Sequence, residues 1–333
     1  MIPIYIDNVI SKEQMVEVVV PLPRPLEDLS KLELETKMCV GRVMTRSLKW
    51  LTEAFTAEGF EWVLPVVLSR TTDPLWPDPG ASIEKRVEVE IYGEKVNAMM
   101  SMIVHKMVAC SLAYPKLFAL SPNVRIERRE RSVTGMHAYE FTQLDFEVRG
   151  ESSRWMRGFV EGAICGLVSE LKQSAKGELM KLGRYRDLQV PKRPFRVYDK
   201  EILERRYGGG WEDEVKNFEE PVWVVNLPRE FYDFEDFKTE RWDNFDLMLP
   251  GYGEVLSGSR REWEYQKLVE KMRRDGVREE NYGVLLRMAQ EKRLKSTVGA
   301  GIGLERLVSW IVGAKHVGEV QPFPKVPGLV CDL

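Results

Sequence analysis

The chain has 333 residues, 44% of them hydrophobic and 30% charged, with a formal net charge of −3. This composition builds a sizeable core and excludes a disordered chain. No apolar run approaches the roughly 20 residues of a spanning helix. The start Met1–Asn8 lacks the basic region and long apolar stretch of a signal peptide, so a cytoplasmic protein free of membranes is expected. The four cysteines, Cys39, Cys110, Cys165 and Cys331, are far apart and form no Cys-x-x-Cys pair, and there are three histidines. Neither a disulfide framework nor a structural zinc site is expected.

From Thr36 to Phe55 the apolar residues Val40, Val43, Met44, Leu48, Leu51 and Phe55 recur at helical spacing. Gly59 stops that helix, and Phe60–Pro65 reads as a strand ended by proline. The stretch Thr72-Asp73-Pro74-Leu75-Trp76-Pro77-Asp78-Pro79-Gly80 has the composition of a loop. Residues 122–148 read as two strands joined by a long polar loop. In the first, Val124 and Ile126 alternate with Arg125 and Glu127. In the second, Thr142, Leu144, Phe146 and Val148 alternate with Phe141, Gln143, Asp145 and Glu147. Side chains alternate across a strand, so one face is mainly apolar and the other polar. That polar face is either a solvated hairpin surface or the floor of a pocket.

A helical pattern covers about 153–182. The polar region 174–220, with Gly208, Gly209 and Gly210, reads as an insertion in a single domain that spans 1–333 and carries an N-terminal extension over 1–35. Strand-like segments return at Val222–Asn226, Asp246–Leu249 and Glu254–Leu256. Charged amphipathic helices follow near 261–274 and 280–292. Thr297–Gly303 then runs into a helix striped by Leu304, Leu307, Val308 and Ile311. Hairpins mixed with helices predict an α+β fold on a mainly antiparallel sheet flanked by helices.

Gly299-Ala300-Gly301-Ile302-Gly303-Leu304-Glu305-Arg306 is glycine-rich and precedes a helix. It lacks the Gly-Lys-Ser/Thr ending of a P-loop, and no βαβ repeat surrounds it as a Rossmann fingerprint requires. It resembles the third signature motif of class II aminoacyl-tRNA synthetases. Val124-Arg125-Ile126-Glu127 with His137–Glu147 resembles their second motif, and the helix 36–55 with its following strand resembles the first, which in the family forms a dimer interface. Asp246–Pro250 with Gly253–Arg261 is similar to the asparaginyl-type active-site strand and turn. Together these place the resemblance in the aspartyl/asparaginyl branch, over about residues 36–328. The first motif begins near residue 36, so the anticodon-reading OB-fold of that branch is not expected. A catalytic domain of this kind resembles the archaeal A-type asparagine synthetases related to asparaginyl-tRNA synthetase.

The resemblance implies a class II synthetase catalytic fold that uses ATP and Mg²⁺. By carry-over, Arg125 holds the α-phosphate and the carboxylate under attack, and Glu127 faces the adenine amino group. Phe141 and Arg306 sandwich the adenine, with Gly301 and Gly303 in the same motif, and His137 reaches the γ-phosphate. Asp246, Glu254 and Ser257 are the expected Mg²⁺ site, since that ion takes hard oxygen ligands. Lys106 and Arg261 are the expected carboxylate clamps. Ser101, Gln143 and Asp145 are candidates for the amino group and its surroundings. Asp73 is a partner for ammonia or the substrate amine, or else a turn residue. The family pattern is broken at Met136, where Arg is usual, and at Ile103, where aspartyl-tRNA synthetases have Gln. The implied reaction is an asparagine synthesis from aspartate, ATP and ammonia through a β-aspartyl adenylate, in a homodimer. The alternatives are a relative acting on tRNA and a non-catalytic sensor of amino acid or nucleotide.

Overall fold

The computed structural model describes residues 20–75 and 83–331. The start Met1–Asn8 and the Trp76–Gly80 part of the proline-rich loop, both singled out above, lie outside the described residues. Helix α1, Lys31–Ala57, begins five residues before the apolar period does. Its start is set by a capping box. The Glu33 amide donates to the Ser30 hydroxyl, and the Ser30 amide donates to the Glu33 carboxylate. Val40, Val43, Leu51 and Phe55 form its buried stripe.

The strands, in chain order, are β1 (Glu61–Trp62), β2 (Leu68–Ser69), β3 (Ile83–Lys85), β4 (Glu88–Ile91), β5 (Glu94–Ala98), β6 (Lys116–Val124), β7 (Ile126–Glu127) and β8 (Glu140–Arg149). Then follow β9 (Arg196–Asp199), β10 (Val222–Val225), β11 (Glu235–Asp236), β12 (Arg241–Trp242), β13 (Asn244–Leu249), β14 (Gly253–Arg260) and β15 (Thr297–Gly303). Eight of them form the main sheet, in the order β1-β6-β8-β15-β14-β13-β10-β9. Its pairs are antiparallel except the outermost, β1–β6 and β9–β10. The fold is α+β, as the mixture of hairpins and helices predicts.

Two expected strands come out differently. The strand 60–65 shortens to Glu61–Trp62 on the sheet edge; the Val63 amide still donates to the Phe118 carbonyl, and the chain then leaves. Pro65, which has no N–H to give, does not extend it. The strand through Val124–Glu127 breaks at Arg125. Its partner β8 begins at Glu140, opposite Val124, so beyond that point no neighbour remains in the main sheet. Ile126 and Glu127 pair with β3 instead. The glycine-rich segment 297–303 is the central strand β15, paired on both sides.

One face of the sheet is apolar. Leu144, Phe146 and Val148 of β8, Val298, Ala300 and Ile302 of β15, and Phe245 and Leu247 of β13 share a core. It is completed by α1, by the helix Ser153–Ser174 (labelled α3 below), and by the helix Leu304–Val312, whose Leu304, Leu307, Val308 and Ile311 are all buried. Phe55 lies 4.8 Å from Phe146 and 5.1 Å from Phe60, ring to ring, at the centre of this layer. Truncating a ring so enclosed costs about 3–5 kcal/mol.

The other face is polar. Helix α2, Ile103–Leu112, crosses it near β8. Residues 174–220 supply short helices and β9, and Leu203, Trp211 and Val215 there pack on Val222, Val224 and Met248. The helices Tyr265–Arg274 and Gly283–Gln290 form a separate apolar cluster with Val104, Met107, Phe231, Tyr232 and Tyr282. Among the described residues no helix is long and apolar enough to cross a membrane.

Candidate functional site

Strand register fixes what the polar face presents. Asp145 of β8 is level with Gly301 of β15, which is level with Ser257 of β14, which is level with Asp246 of β13. The neighbouring rows set Gln143 beside Gly303 and Glu147 beside Gly299 and Ser259. The β8 alternation therefore marks the floor of a pocket, not a solvated hairpin. Gly301 keeps that floor low: a Cβ there would lie 3.0 Å from both Asp145 Oδ1 and Gln143 Nε2.

Above this floor is a cavity of about 630 Å³. It is lined by Asp73, Ser101, Lys106, Arg125, Glu127, His137, Phe141, Gln143, Asp145, Glu254, Ser257, Arg261, Gly301, Gly303 and Arg306. Every residue expected from the sequence lines it except Asp246. Arg125 and Arg306, which come from segments far apart in the chain, share this one cleft.

Each charged group expected from the sequence in this cleft has an internal partner. The Arg125 guanidinium lies 5.3 Å above the Phe141 ring; its Nε donates to the Met100 carbonyl at 3.1 Å, and Asp73 is 4.0 Å away. Arg306 donates to the Met136 carbonyl, the Glu254 carbonyl and the Glu254 carboxylate, each at 3.2 Å. Glu127, expected to face adenine, accepts from Arg131 at 2.9 Å. Burial raises its pKa against the pull of Arg131, Arg125 and Arg306. His137 shares a 2.6 Å hydrogen bond with Thr134. Burial, then Arg306, Arg131 and Arg125, push its pKa down to about 2, so the imidazole is neutral.

The expected clamps are committed more deeply. Lys106 has a side-chain exposure of 0% and donates to Asp145 Oδ1 at 2.6 Å and to the Ala300 carbonyl at 3.0 Å, with the Phe146 carbonyl at 3.5 Å. Those contacts use its three N–H groups, so Lys106 is a strut under the floor before it is a free clamp. Arg261 donates to Glu147, Asp233, Ser259 and the Gly299 carbonyl, which leaves it one N–H of five. Gln143 accepts from Asn123 at 3.1 Å, and the second oxygen of Asp145 is buried without a partner.

Of the two alternatives expected for Asp73, the structure shows the turn residue. Its Oδ1 accepts from the Leu75 amide at 2.9 Å, a local turn in which Leu75 takes a φ of 56°. The same oxygen accepts from the Tyr232 hydroxyl at 3.0 Å. The loop is tied down by Tyr282, which donates to the Thr72 carbonyl, and by Thr71, which donates to the Asn281 carbonyl.

The segment 229–233 contributes Arg229, Glu230, Tyr232 and Asp233 to the cavity, none of which the sequence reading singled out. The segment runs beside Arg260–Glu262: the Phe234 amide donates to the Arg260 carbonyl, the Glu262 amide donates to the Tyr232 carbonyl, and Asp233 and Arg261 form a bridge. Burial, with Asp73 and Asp233 nearby, raises the pKa of Glu230, and burial with Asp73 raises that of Tyr232.

Asp246, Glu254 and Ser257 offer the hard oxygens that Mg²⁺ takes, and Asp246 Oδ1 is buried with no partner. The place between Asp246 and Ser257 is nevertheless held by the Arg229 guanidinium, which donates to both. Glu254 faces Arg306 instead. Among the described residues no three His, Cys, Asp or Glu side chains are placed to hold a metal ion. As arranged, this set does not fit the divalent ion expected of it.

Residues 47–327 match the family of class II tRNA synthetases (D, K and N). The asparagine–tRNA ligase of Thermus thermophilus is 30% identical over 269 residues, covering 72% of this chain and 60% of its own length. That of Thermoplasma acidophilum is 26% identical over 260 residues, covering 72% of this chain and 59% of its own length. The chain thus spans about three fifths of the length of these curated relatives. Among solved structures, the asparaginyl-tRNA synthetase of Pyrococcus horikoshii complexed with asparaginyl-adenylate superposes with a TM-score of 0.78 at 22% identity, over 93% of this chain and 76% of that one. The aspartyl-tRNA synthetase of Entamoeba histolytica has a TM-score of 0.69 at 19% identity, over 91% and 63%. At these identities the structures speak for the fold alone.

Proposed function

Because the chain belongs to the class II tRNA synthetases of the D, K and N group, we propose that it is an AMP-forming ligase that activates aspartate or asparagine with ATP. The observation that supports this most directly is the single cleft shared by Arg125, Phe141 and Arg306 over a floor of Gln143, Asp145 and Gly301. In this reading a carboxylate oxygen attacks the α-phosphorus, pyrophosphate leaves, and a mixed anhydride forms. Arg125 neutralises the carboxylate and the α-phosphate as they approach, because a guanidinium stays charged in a partly dry site. Phe141 and Arg306 take the two faces of the adenine, and Glu127 turns from Arg131 to its amino group. The neutral His137 imidazole keeps one ring N–H, which it donates to an oxygen of the polyphosphate. Ser101, Gln143 and the bare oxygen of Asp145 receive the substrate's ammonium group.

The internal pairs described above make binding an exchange of partners. ATP–pyrophosphate exchange, run with aspartate, with asparagine and with neither, tests the reading. Exchange that is absent with both amino acids refutes it.

Two acceptors for the adenylate rest on two different observations. The names of the curated relatives, asparagine–tRNA ligases, favour tRNA. The acidic wall of Asp73, Glu230 and Asp233 around the Tyr232 hydroxyl favours ammonium. With ammonium, the side-chain carboxylate of aspartate is adenylated, ammonia attacks that carbonyl, AMP leaves, and asparagine results. Asparagine formed from aspartate, ATP and ammonium without tRNA selects the second acceptor; asparaginyl-tRNA formed from asparagine and ATP selects the first. A homodimer belongs to the same proposal. Leu34 and Met38 on α1, with Trp62 and Leu64 after it, are exposed apolar side chains beside the segment that resembles the family's dimer motif. Sedimentation velocity tests it, and a monomer at micromolar concentration refutes it.

A further inference from the structure

The cation between Asp246 and Ser257 belongs to the protein itself. Those two residues face each other across β13 and β14. One amino group of Arg229 donates to the Asp246 carboxylate and the other to the Ser257 hydroxyl. The arginine is not a loose surface arm. Just before it, the Leu227 amide donates to the Asn244 side chain at 3.0 Å, and the Asn244 side-chain amide donates back to the Leu227 carbonyl at 2.7 Å. Asn244 is buried on β13 itself, so the strand that carries Asp246 also fixes the backbone that delivers the guanidinium. The side chain of Asp246 is 6% exposed and that of Arg229 22%, which leaves Arg229 open to the cavity on one side.

We propose that Arg229 is the resident cation of this site: it takes the position a divalent ion would hold between Asp246 and Ser257 and presents a fixed positive charge to an anion in the cleft. The presentation to an anion rests on the nucleotide reading given above; the occupation of the cation position does not. A planar guanidinium offers two parallel donors where Mg²⁺ would offer coordination, and it needs no loading from solution. A positive group held there also repels a second cation, because two like charges a few ångströms apart in a partly dry site interact strongly.

Titration of the nucleotide-free protein with Mn²⁺, the free ion being followed by its paramagnetic resonance signal, tests the assignment. Wild type is expected to leave the ion free. R229Q, which keeps the polarity of the side chain without its charge and is shorter, is expected to bind one ion at least about tenfold more tightly. Adding D246N to R229Q is expected to remove that gain. Equal affinity in wild type and R229Q overturns the proposal. So does an ion bound by nucleotide-free wild type and lost in D246N, a result that decides the matter even when R229Q fails to fold. ATP binding to wild type, measured alongside, separates the two ideas: its absence refutes the nucleotide reading and leaves the Mn²⁺ result standing.

Discussion

Replacing Lys106 by Met is expected to damage the fold before it damages any chemistry. The ammonium group is fully buried, 2.6 Å from Asp145, and also holds the Ala300 carbonyl. Asp145 has one oxygen bare already, so the substitution removes the cation beside a carboxylate that has no other ion pair among the described residues. Breaking a buried pair by deleting one partner costs about 3–5 kcal/mol, a large share of the roughly 5–15 kcal/mol that holds a folded domain. Methionine nearly conserves the volume, so little of that loss comes from a cavity. The second substitution Asp145→Asn removes the stranded charge, and the double variant is expected to recover at least half of the loss. Urea unfolding followed by tryptophan fluorescence gives all three free energies. If Lys106→Met costs less than about 1 kcal/mol, or if Asp145→Asn does not rescue it, Lys106 is no strut and the account of the floor is mistaken.

Arg125→Ala is expected to lower pyrophosphate exchange by about 10²–10³-fold, the usual loss when one donor to a developing charge is removed; near-normal exchange sinks the proposed role. Gly301→Ala places a methyl group 3.0 Å from Asp145 and Gln143. The protein should fold, and the KM for the amino acid should rise roughly ten- to a hundredfold. In Gly299→Ala the same methyl would sit 1.8 Å from the Glu147 carboxylate and 2.5 Å from the Phe146 carbonyl, so no folded protein is expected by circular dichroism. Glu305, buried with both oxygens accepting from the Thr142 amide, has its pKa pushed up to about 7 by burial. The folded state then holds an extra proton between about pH 4.5 and 7, and stability falls as pH rises through that window. Glu305→Gln removes this loss and should gain roughly 3 kcal/mol over wild type at pH 8. Parallel stability profiles from pH 5 to 8 refute it.

The strands and helices whose outer or inner face repeats regularly were legible in the sequence. The alternation from Phe141 to Val148 marked a polar face that was either solvated or a pocket floor, and the periods in α1, α3 and the last helix marked the core. Where a strand ends was not legible. The two-residue rhythm runs unbroken through Arg125, yet the main sheet stops at Val124 because its partner stops. Thr297–Gly303 could not be read as a strand for the opposite reason: its glycines carry no side chains to alternate. Arg229–Asp233 was missed because the segment has no period. Its place in the cavity comes from tertiary hydrogen bonds to Arg260–Glu262, and only the spacing of an Arg, two acids and a Tyr after Pro228 hinted at it.

The bare row on β15 confines how this cleft is able to evolve. A position with no side chain has nothing to vary, and at Gly299 and Gly301 neighbouring strands already fill the space a first carbon would need. New ligand preferences must therefore be written on the flanking strands, at Gln143 or Ser257, while the middle strand stays fixed as the blank against which they are read.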